Sequence, residues 1–328
     1  MAYTQFVTDL EGPLTLNDNA FEITAHFLPD GARFFALISK YDDVLADIVK
    51  RPGYRAGDTL KLIVPFLLAF GLRDRDLAEF SRKNIKPVPR ARETLQRIRA
   101  QMPAFIISTS YEPYVRAVCE ALRFPFENAY CTKISLDAHK LSEHERQELR
   151  ELYAQIISRP SLKISREIRE VSDLAVHDRE TIALLDEIFW ERVRAMEAGR
   201  IFSEIQPVGG PEKARALREI AQRTHISLTQ TIYVGDSITD VEALALVRRE
   251  GGLSVAFNGN SYALQAAEVG CISADALILA EIAEAFMRGG REAVGQGEGL
   301  TTQIDDAFIA RSEQMRRRLR GADIGSLG

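Results

Sequence analysis

The sequence predicts an α/β protein with a doubly wound parallel sheet and a second, mainly helical domain. Short β-rich runs alternate along the chain with longer helical segments. The β-rich runs are apolar throughout, as expected for parallel strands that are covered on both faces. The chain has 328 residues. Because one hydrophobic core rarely grows beyond about 250–300 residues, we expect two domains.

Six β-rich runs define the predicted sheet. They span residues 5–9, 103–108, 129–134, 231–236, 252–257 and 270–272. Helical patterns cover residues 90–100, 114–122, 211–222 and 239–247. In a doubly wound sheet, ligands bind outside the carboxyl ends of the strands. The residues that end these runs, Asp9, Ser108 and Asp236, are therefore the first candidates for a functional site.

Two long segments, 19–82 and 136–204, do not fit the alternation and are too long for plain loops. We predict that they form a helical domain over the strand ends. The predicted division is a core of 1–18, 83–135 and 205–295, a helical cap of 19–82 and 136–204, and a helical C-terminal extension of 296–328. The basic stretch MRRRLRG in this extension predicts a solvated helix, with a polyanion or partner site as the alternative.

Residues of the first segment divide into a predicted core and candidates for substrate contact. The apolar core candidates are Phe27, Phe34, Phe35, Leu37, Leu60, Leu62 and Phe66. The polar candidates are Tyr41, Asp42, Asp43, Arg55 and Lys61. Outside this segment, Asn258 and Asn260 follow the fifth strand and either line the pocket rim or form a turn.

Composition excludes several classes of function. Forty-two basic and 47 acidic residues give a net charge of −5, so we expect no partner that is a nucleic acid or an anionic membrane. The three cysteines are far apart and contain no CxxC pair, which argues against a disulfide framework or zinc site. The apolar run 60–72 is too short to span a bilayer. Acidic residues follow the N-terminus too early for a signal peptide. These features predict a cytoplasmic protein.

Four fragments carry the candidate chemistry. They are Asp9-Leu10-Glu11-Gly12-Pro13, Ser108-Thr109-Ser110, Lys213, and Gly235-Asp236-Ser237-Ile238-Thr239-Asp240. In this order the sequence resembles the haloacid dehalogenase (HAD) superfamily of phosphatases and phosphotransferases. Within that superfamily it resembles an uncharacterised archaeal and bacterial branch whose first motif reads DxEGP. The stretches ARFFALISKYDD, GYRAGDTLKL, FIISTSY, GDSITD and AFNGNSYAL carry this second likeness. The resemblance covers most of the chain and implies a HAD-like, Rossmann-like core with a cap domain.

Phosphoryl transfer needs a nucleophile and groups that neutralise the charge of the phosphate. Asp9 is the candidate nucleophile, which would form an aspartyl-phosphate. Lys213 would pair with Asp9 and with the phosphoryl group, and Ser108 would donate a hydrogen bond to a phosphoryl oxygen. The backbone N–H groups expected to complete an anion-binding nest belong to Leu10, Glu11 and Thr109.

Mg2+ prefers hard oxygen ligands in an octahedral shell. Asp9 and Asp236 would supply two carboxylate ligands, and the backbone carbonyl of Glu11 would supply a third. Asp240 lies one helical turn beyond Asp236, where it would hold a metal-bound water or orient the lysine. Ser237 would support the same turn.

Glu11 departs from the pattern that the resemblance implies. Typical HAD phosphatases have Asp two residues after the nucleophile, where it protonates the leaving oxygen and then activates water. Glu11 keeps the carboxylate and adds one methylene. Three interpretations stay open: the pocket is adjusted to the longer arm, turnover is slow, or the reaction is not ordinary hydrolysis.

The leading hypothesis is a Mg2+-dependent phosphohydrolase that acts on a small phosphorylated metabolite. One alternative is a phosphotransferase of the same fold, which the longer Glu11 side chain motivates. The other is a non-catalytic HAD-like assembly or regulatory subunit, with the helical insertions and basic tail as docking surfaces. A homodimer is an open expectation.

Overall fold

A computed structural model describes residues 3–164, 168–294, 297, 299–325 and 327. Within them lies a seven-stranded sheet of order β3-β2-β1-β4-β5-β6-β7. The strands are β1 (Gln5–Thr8), β2 (Ala104–Tyr111), β3 (Ala129–Thr132), β4 (Thr231–Gly235), β5 (Leu253–Phe257), β6 (Val269–Cys271) and β7 (Leu300–Thr301). Neighbouring strands are parallel except for β6 and β7. The predicted mostly parallel α/β sheet is thus confirmed.

Differences from the six predicted runs occur at the strand ends. β2 continues through the STS stretch to Tyr111, so Ser108 lies inside a strand and does not follow it. The antiparallel β7 has only two residues, too few for a recognisable β-rich run.

The helices surround the sheet and fill both long segments. The α-helices are α1 (Asn19–Phe27), α2 (Gly31–Asp43), α3 (Thr59–Ala69), α4 (Asp74–Lys83), α5 (Ala91–Arg99), α6 (Glu112–Leu122), α7 (Glu143–Ile157), α8 (Val176–Asp186), α9 (Ile201–Glu204), α10 (Pro211–Thr224), α11 (Val241–Arg249), α12 (Ser261–Ala266), α13 (Leu277–Gly289), α14 (Asp306–Arg320) and α15 (Ala322–Gly325). The π-helical segments Val44–Ile48 and Glu187–Val193 continue α2 and α8. The four helical patterns outside the long segments correspond to α5, α6, α10 and α11.

Two hydrophobic clusters cover the two faces of the sheet. Phe6 of β1 belongs to one cluster, with side chains of α5, α6 and α13. Its neighbour Val7 belongs to the other cluster, with side chains of α10, α11 and α14. Successive side chains of a strand point to opposite faces, so a strand buried on both sides is apolar at most positions. This is the physical origin of the apolar runs, and the buried polar exceptions have partners, as where Gln5 donates to the Thr231 hydroxyl over 2.9 Å.

A third cluster unites helices of the two long segments. All seven apolar core candidates pack here, with Phe27 partly buried at its edge. The run 60–72 forms most of α3, whose residues are buried throughout. Ile324 and Leu327 of the C-terminal segment join the same cluster. Among the described residues, no helix is long and apolar enough to cross a membrane. Residues 165–167 of the second segment and the predicted boundary at 295/296 lie outside the described residues.

The strand order reverses beside β1. From β1 the chain builds β2 and β3 on one side, then crosses to build β4, β5 and β6 on the other. β1 and β4 are paired with Thr8 opposite Val234, and the Asp9 N–H donates to the Val234 carbonyl over 2.8 Å. Residues that follow β1 and β4 therefore meet at the crevice where ligands bind in such sheets.

Candidate active site

A buried lysine lies between two aspartates at the ends of β1 and β4. Lys213, near the start of α10, has no exposed surface. Its Nζ lies 2.7 Å from Asp9 Oδ2 and 2.7 Å from Asp240 Oδ1. The Leu10 N–H donates to Asp9 Oδ1 over 2.6 Å. Both oxygens of the Asp9 carboxylate are therefore held by donors, which fixes its orientation.

Lys213, Asp9 and Asp240 shift one another's pKa values through their charges. Burial alone would lower the pKa of Lys213, but the carboxylates of Asp240 and Asp9 raise it by more, so the ammonium is retained. Burial would raise the pKa of Asp240, but Lys213 and hydrogen bonds lower it overall. Burial raises the pKa of Asp9 to about 8, against the opposing effect of Lys213. A divalent cation beside Asp9 would favour its ionised form.

Asp240 organises the turn after β4. Its Oδ1 accepts hydrogen bonds from Lys213 and from the Tyr233 hydroxyl, the latter over 2.6 Å. Its Oδ2 accepts the N–H groups of Asp236 at 3.0 Å and Ser237 at 3.1 Å. The Ser237 hydroxyl lies 3.0 Å from the hydroxyl of Thr239. Because both oxygens of Asp240 are engaged, it acts on the lysine and on the backbone of the turn.

Asp236 contacts two arginines of α14 that the sequence interpretation did not place in the site. Its side chain is 2% exposed. Arg316 Nη1 donates to Asp236 Oδ2, and Arg320 Nη1 lies 3.2 Å from the same oxygen. The prediction that MRRRLRG forms a solvated helix is therefore wrong for one face of α14. Arg317 and Arg318, between the two arginines, are exposed as expected.

The spacing of the arginines explains their burial. Arg316 and Arg320 are four residues apart and lie on one face of the helix. Phe308, Ile309 and Ser312 are buried on the preceding turns. Continuing that buried face by four residues leads to Arg316, so the helical periodicity was the sequence signal that could have identified the buried arginines. The large number of basic residues in MRRRLRG made the whole segment look exposed.

Glu11 is bound to the start of α1. Its Oε1 accepts the Asn19 N–H over 2.7 Å. Burial raises the pKa of Glu11 well above its usual value, with Asp18 adding to the rise and Arg320 opposing it. Asp18 itself accepts the Phe21 N–H and caps α1. Asp18 was also missed, although an Asp before a helical run is a recognised capping signal.

A small cavity of about 110 Å³ joins these groups. Of the predicted site residues, those that line it are Asp9, Glu11, Ser108, Thr109, Asp236 and Ser237. Lys213 and Asp240 lie buried beside them, and Leu10 contributes its N–H to Asp9. The Ser108 hydroxyl accepts the Ser110 N–H over 3.2 Å, and the Thr109 hydroxyl donates to the Val208 carbonyl over 3.1 Å.

The polar candidates of the first helical segment separate into two groups. Asp42 and Asp43 line the cavity. The three that lie elsewhere each have an acidic partner: Tyr41 bonds to Asp186, Arg55 to Glu212 and Lys61 to Asp58.

The two asparagines after β5 take turn roles. Asn258 exchanges hydrogen bonds with the backbone of Ser273, and Asn260 caps α12.

The residues present fit a divalent cation. Carboxylate oxygens of Asp9, Asp236 and Asp240 lie within 4.8 Å of one another. Asp9 and Asp236 line the cavity and Asp240 does not, so Asp9 and Asp236 are the carboxylates that a metal in the cavity would contact. A Cβ added to Gly12 would lie 2.3 Å from Asp236 Cγ, so the backbone after Glu11 passes directly over that carboxylate. The oxygen-only donor set suits Mg2+.

The comparisons with known proteins agree with this arrangement. A family model described as haloacid dehalogenase-like hydrolase matches residues 106–276, more than half of the chain. The solved structure of gene product AF1437 from Archaeoglobus fulgidus is 33% identical, with a TM-score of 0.86; the match covers 100% of this chain and 99% of that one. A substrate-bound phosphoserine phosphatase complex is 16% identical with a TM-score of 0.50, over 87% of this chain and 98% of the other, and shows the fold alone. The comparison with curated proteins gave no match.

Proposed function

The chain belongs to the haloacid dehalogenase-like hydrolase family, and we propose that it is a Mg2+-dependent phosphohydrolase of a small phosphorylated metabolite. The observation that carries the proposal is the oriented Asp9 carboxylate, held by Lys213 next to Asp236 in the crevice between β1 and β4. A nucleophile, a buried cation and a metal-ligating acid are the parts that phosphoryl transfer requires. We assign the chain to the DxEGP branch as part of the same proposal.

In the first step, a carboxylate oxygen of Asp9 forms a bond to phosphorus as the bond to the leaving oxygen breaks. Glu11 gives its proton to the leaving oxygen, a role that suits a carboxyl whose pKa is raised by burial. In the second step, water attacks the aspartyl-phosphate and Glu11 takes a proton from it, which releases inorganic phosphate and restores Asp9. Lys213 stays charged throughout and balances the developing negative charge.

Asp9, Asp236 and the carbonyl of Glu11 would hold Mg2+. When bound, the ion would neutralise phosphoryl charge. The lining of the cavity contains six acidic side chains and two arginines, and this excess of acids supports the need for a bound cation. An anionic substrate would be repelled from such a cavity without added positive charge.

The third hydrophobic cluster supports a cap built from both helical segments. α1–α3 and α7–α9 contribute to that one cluster. Phe35 and Leu60 belong to this cluster and also line the cavity. A cavity of this volume favours a small phosphomonoester over a polymer, because drug-sized ligands occupy pockets of about 300–1,000 Å³.

The test is release of inorganic phosphate from a panel of small phosphomonoesters, phosphoserine included, with Mg2+ or with chelator. We expect release with Mg2+ from wild type and a loss of at least about a thousandfold in Asp9→Asn. Asp137→Asn is the matched control, since Asp137 is a surface residue paired with Arg73. Absence of Mg2+-dependent release from every substrate contradicts the proposal.

Phosphoryl transfer to an acceptor other than water is a second candidate. The hydrogen bond from Asn19 to Glu11 Oε1 favours it, because it ties one oxygen of the acid–base group to α1. A long-lived phospho-enzyme that is discharged by an added alcohol supports transfer. Rapid discharge in water alone refutes it.

A further inference from the structure

Two buried guanidinium groups converge on one carboxylate of the proposed metal site. Arg316 is 4% exposed, and the side chain of Arg320 is 6% exposed. Both donate to the same oxygen, Asp236 Oδ2. Asp236 is thus the carboxylate that both guanidinium groups contact directly, while Asp18 attracts both arginines and Glu11 attracts Arg320.

Asp236 also anchors the C-terminal half of α14. Arg316 donates a second hydrogen bond to the Asp236 carbonyl over 3.2 Å. Arg320 donates to the carbonyls of Leu16 at 3.2 Å and Asn17 at 2.5 Å. Breaking a buried ion pair on one side leaves an uncompensated charge, which strongly weakens the contact. The Asp236 carboxylate is thus one of the groups that hold this half of the helix, together with the three carbonyls and with Ile324 and Leu327 in the third hydrophobic cluster.

We propose that Arg316 and Arg320 compete with the divalent cation for Asp236, so that metal binding loosens the C-terminal half of α14. This inference rests on the proposed function in one respect, that Asp236 is a metal ligand. Two guanidinium groups and a divalent ion cannot share one carboxylate without strong repulsion. The consequence extends to the cavity, because Leu327, beyond the end of α14, lines it together with both arginines.

The N-terminal half of α14 is held independently of the carboxylate. Phe308 and Ile309 belong to the cluster on one face of the sheet. The Ser312 hydroxyl donates to the Gly259 carbonyl over 2.8 Å. The loosening is therefore expected C-terminal to Ser312, with the first two turns remaining docked.

The first test is the affinity for Mn2+, measured by electron paramagnetic resonance on the full-length chain without substrate. Arg316→Gln and Arg320→Gln each remove one competing cation and keep a hydrogen-bonding side chain. We expect each to tighten binding by at least about tenfold, since a hydrogen bond to a charged group contributes about that factor. Arg318→Gln, on the exposed face, is the matched control and should leave the affinity unchanged. Unchanged or weaker binding in both variants overturns the proposal, as does the absence of binding in every protein.

The second test needs no variant and covers the case in which the substitutions disturb folding. Hydrogen–deuterium exchange is measured on wild type with and without Mg2+. Faster exchange with Mg2+ in residues 313–325, and unchanged exchange in 306–312, supports the competition. Equal or slower exchange in 313–325 overturns it. Neither test measures turnover. A protein that shows the competition but releases no phosphate would therefore contradict the proposed phosphohydrolase activity and still support the competition between arginines and metal.

Discussion

Replacing Lys213 by Met should remove the charge that binds Asp9 to Asp240. The lysine is wholly buried, and its Nζ lies 2.7 Å from both carboxylates. Met keeps most of the aliphatic volume, so the main effect is electrostatic. Removing one partner of a buried ion pair costs about 3–5 kcal/mol because the remaining charge is uncompensated. With two carboxylates left facing each other, we expect a loss in the free energy of unfolding at the upper end of that range at pH 9.5, above the pKa of about 8 that Asp9 has in wild type.

The loss should shrink as the pH falls. Without Lys213, the pKa of Asp9 rises further, because the lysine is the group that opposes the effect of burial. Protonation of Asp9 then removes one of the two facing charges below that pKa. The variant should therefore lie closer to wild type at pH 7 than at pH 9.5, because only the variant keeps Asp9 protonated between the two pKa values and loses that stability as the pH rises.

Urea unfolding followed by far-UV circular dichroism measures both quantities. Arg215→Met is the matched control, since Arg215 lies on the same helix with an exposed side chain, and its loss should be below about 1 kcal/mol. The double variant Asp9→Asn/Lys213→Met should recover part of the loss of Lys213→Met. A loss of under about 1 kcal/mol in Lys213→Met at pH 9.5 would refute the reasoning, as would a larger loss at pH 7.

Two further predictions concern the surroundings of the site. Gly12 has φ of +99°, and a Cβ added there would overlap Asp236. Gly12→Ala should therefore weaken Mg2+ binding by at least about tenfold in calorimetry. Gly53 has φ of +77° with open space around it, so Gly53→Ala is the control that should leave Mg2+ binding unchanged. Burial raises the pKa of Asp42 to about 7, so the contribution of its protonated form to stability is lost as the pH rises from about 4 to about 7, by roughly 4 kcal/mol. Urea unfolding of Asp42→Asn should lack this decline, and an equal decline in wild type and variant would contradict the assignment.

The sequence was most informative where burial leaves little choice of residue. Strands covered on both faces are apolar at most positions, so the mainly apolar runs locate β1, β4 and β5. Their order along the chain also indicated that Asp9 and Asp236 lie at one edge of the sheet, where the structure places them. In this part of the fold, the apolar pattern within each strand agrees with the pairing of strands that are distant in sequence.

Contacts that join distant segments were not predictable in the same way. The approach of Arg316 to Asp236 spans 80 residues and depends on how α14 docks, which no local pattern encodes. The bond from Asn19 to Glu11 depends on the entry angle of α1. Asp240 was expected to hold a water or orient the lysine; its engagement by Tyr233 and the turn backbone requires the three-dimensional fold.

The most direct test of the proposed chemistry is the binding of beryllofluoride, a mimic of the phosphoryl group, in the presence of Mg2+. We predict a protein-bound 19F NMR signal in wild type that disappears in Asp9→Asn, with a crystal structure that shows beryllium attached to an Asp9 carboxylate oxygen. A bound signal that persists in folded Asp9→Asn, or beryllium attached to another residue, would contradict the assignment of Asp9 as the nucleophile.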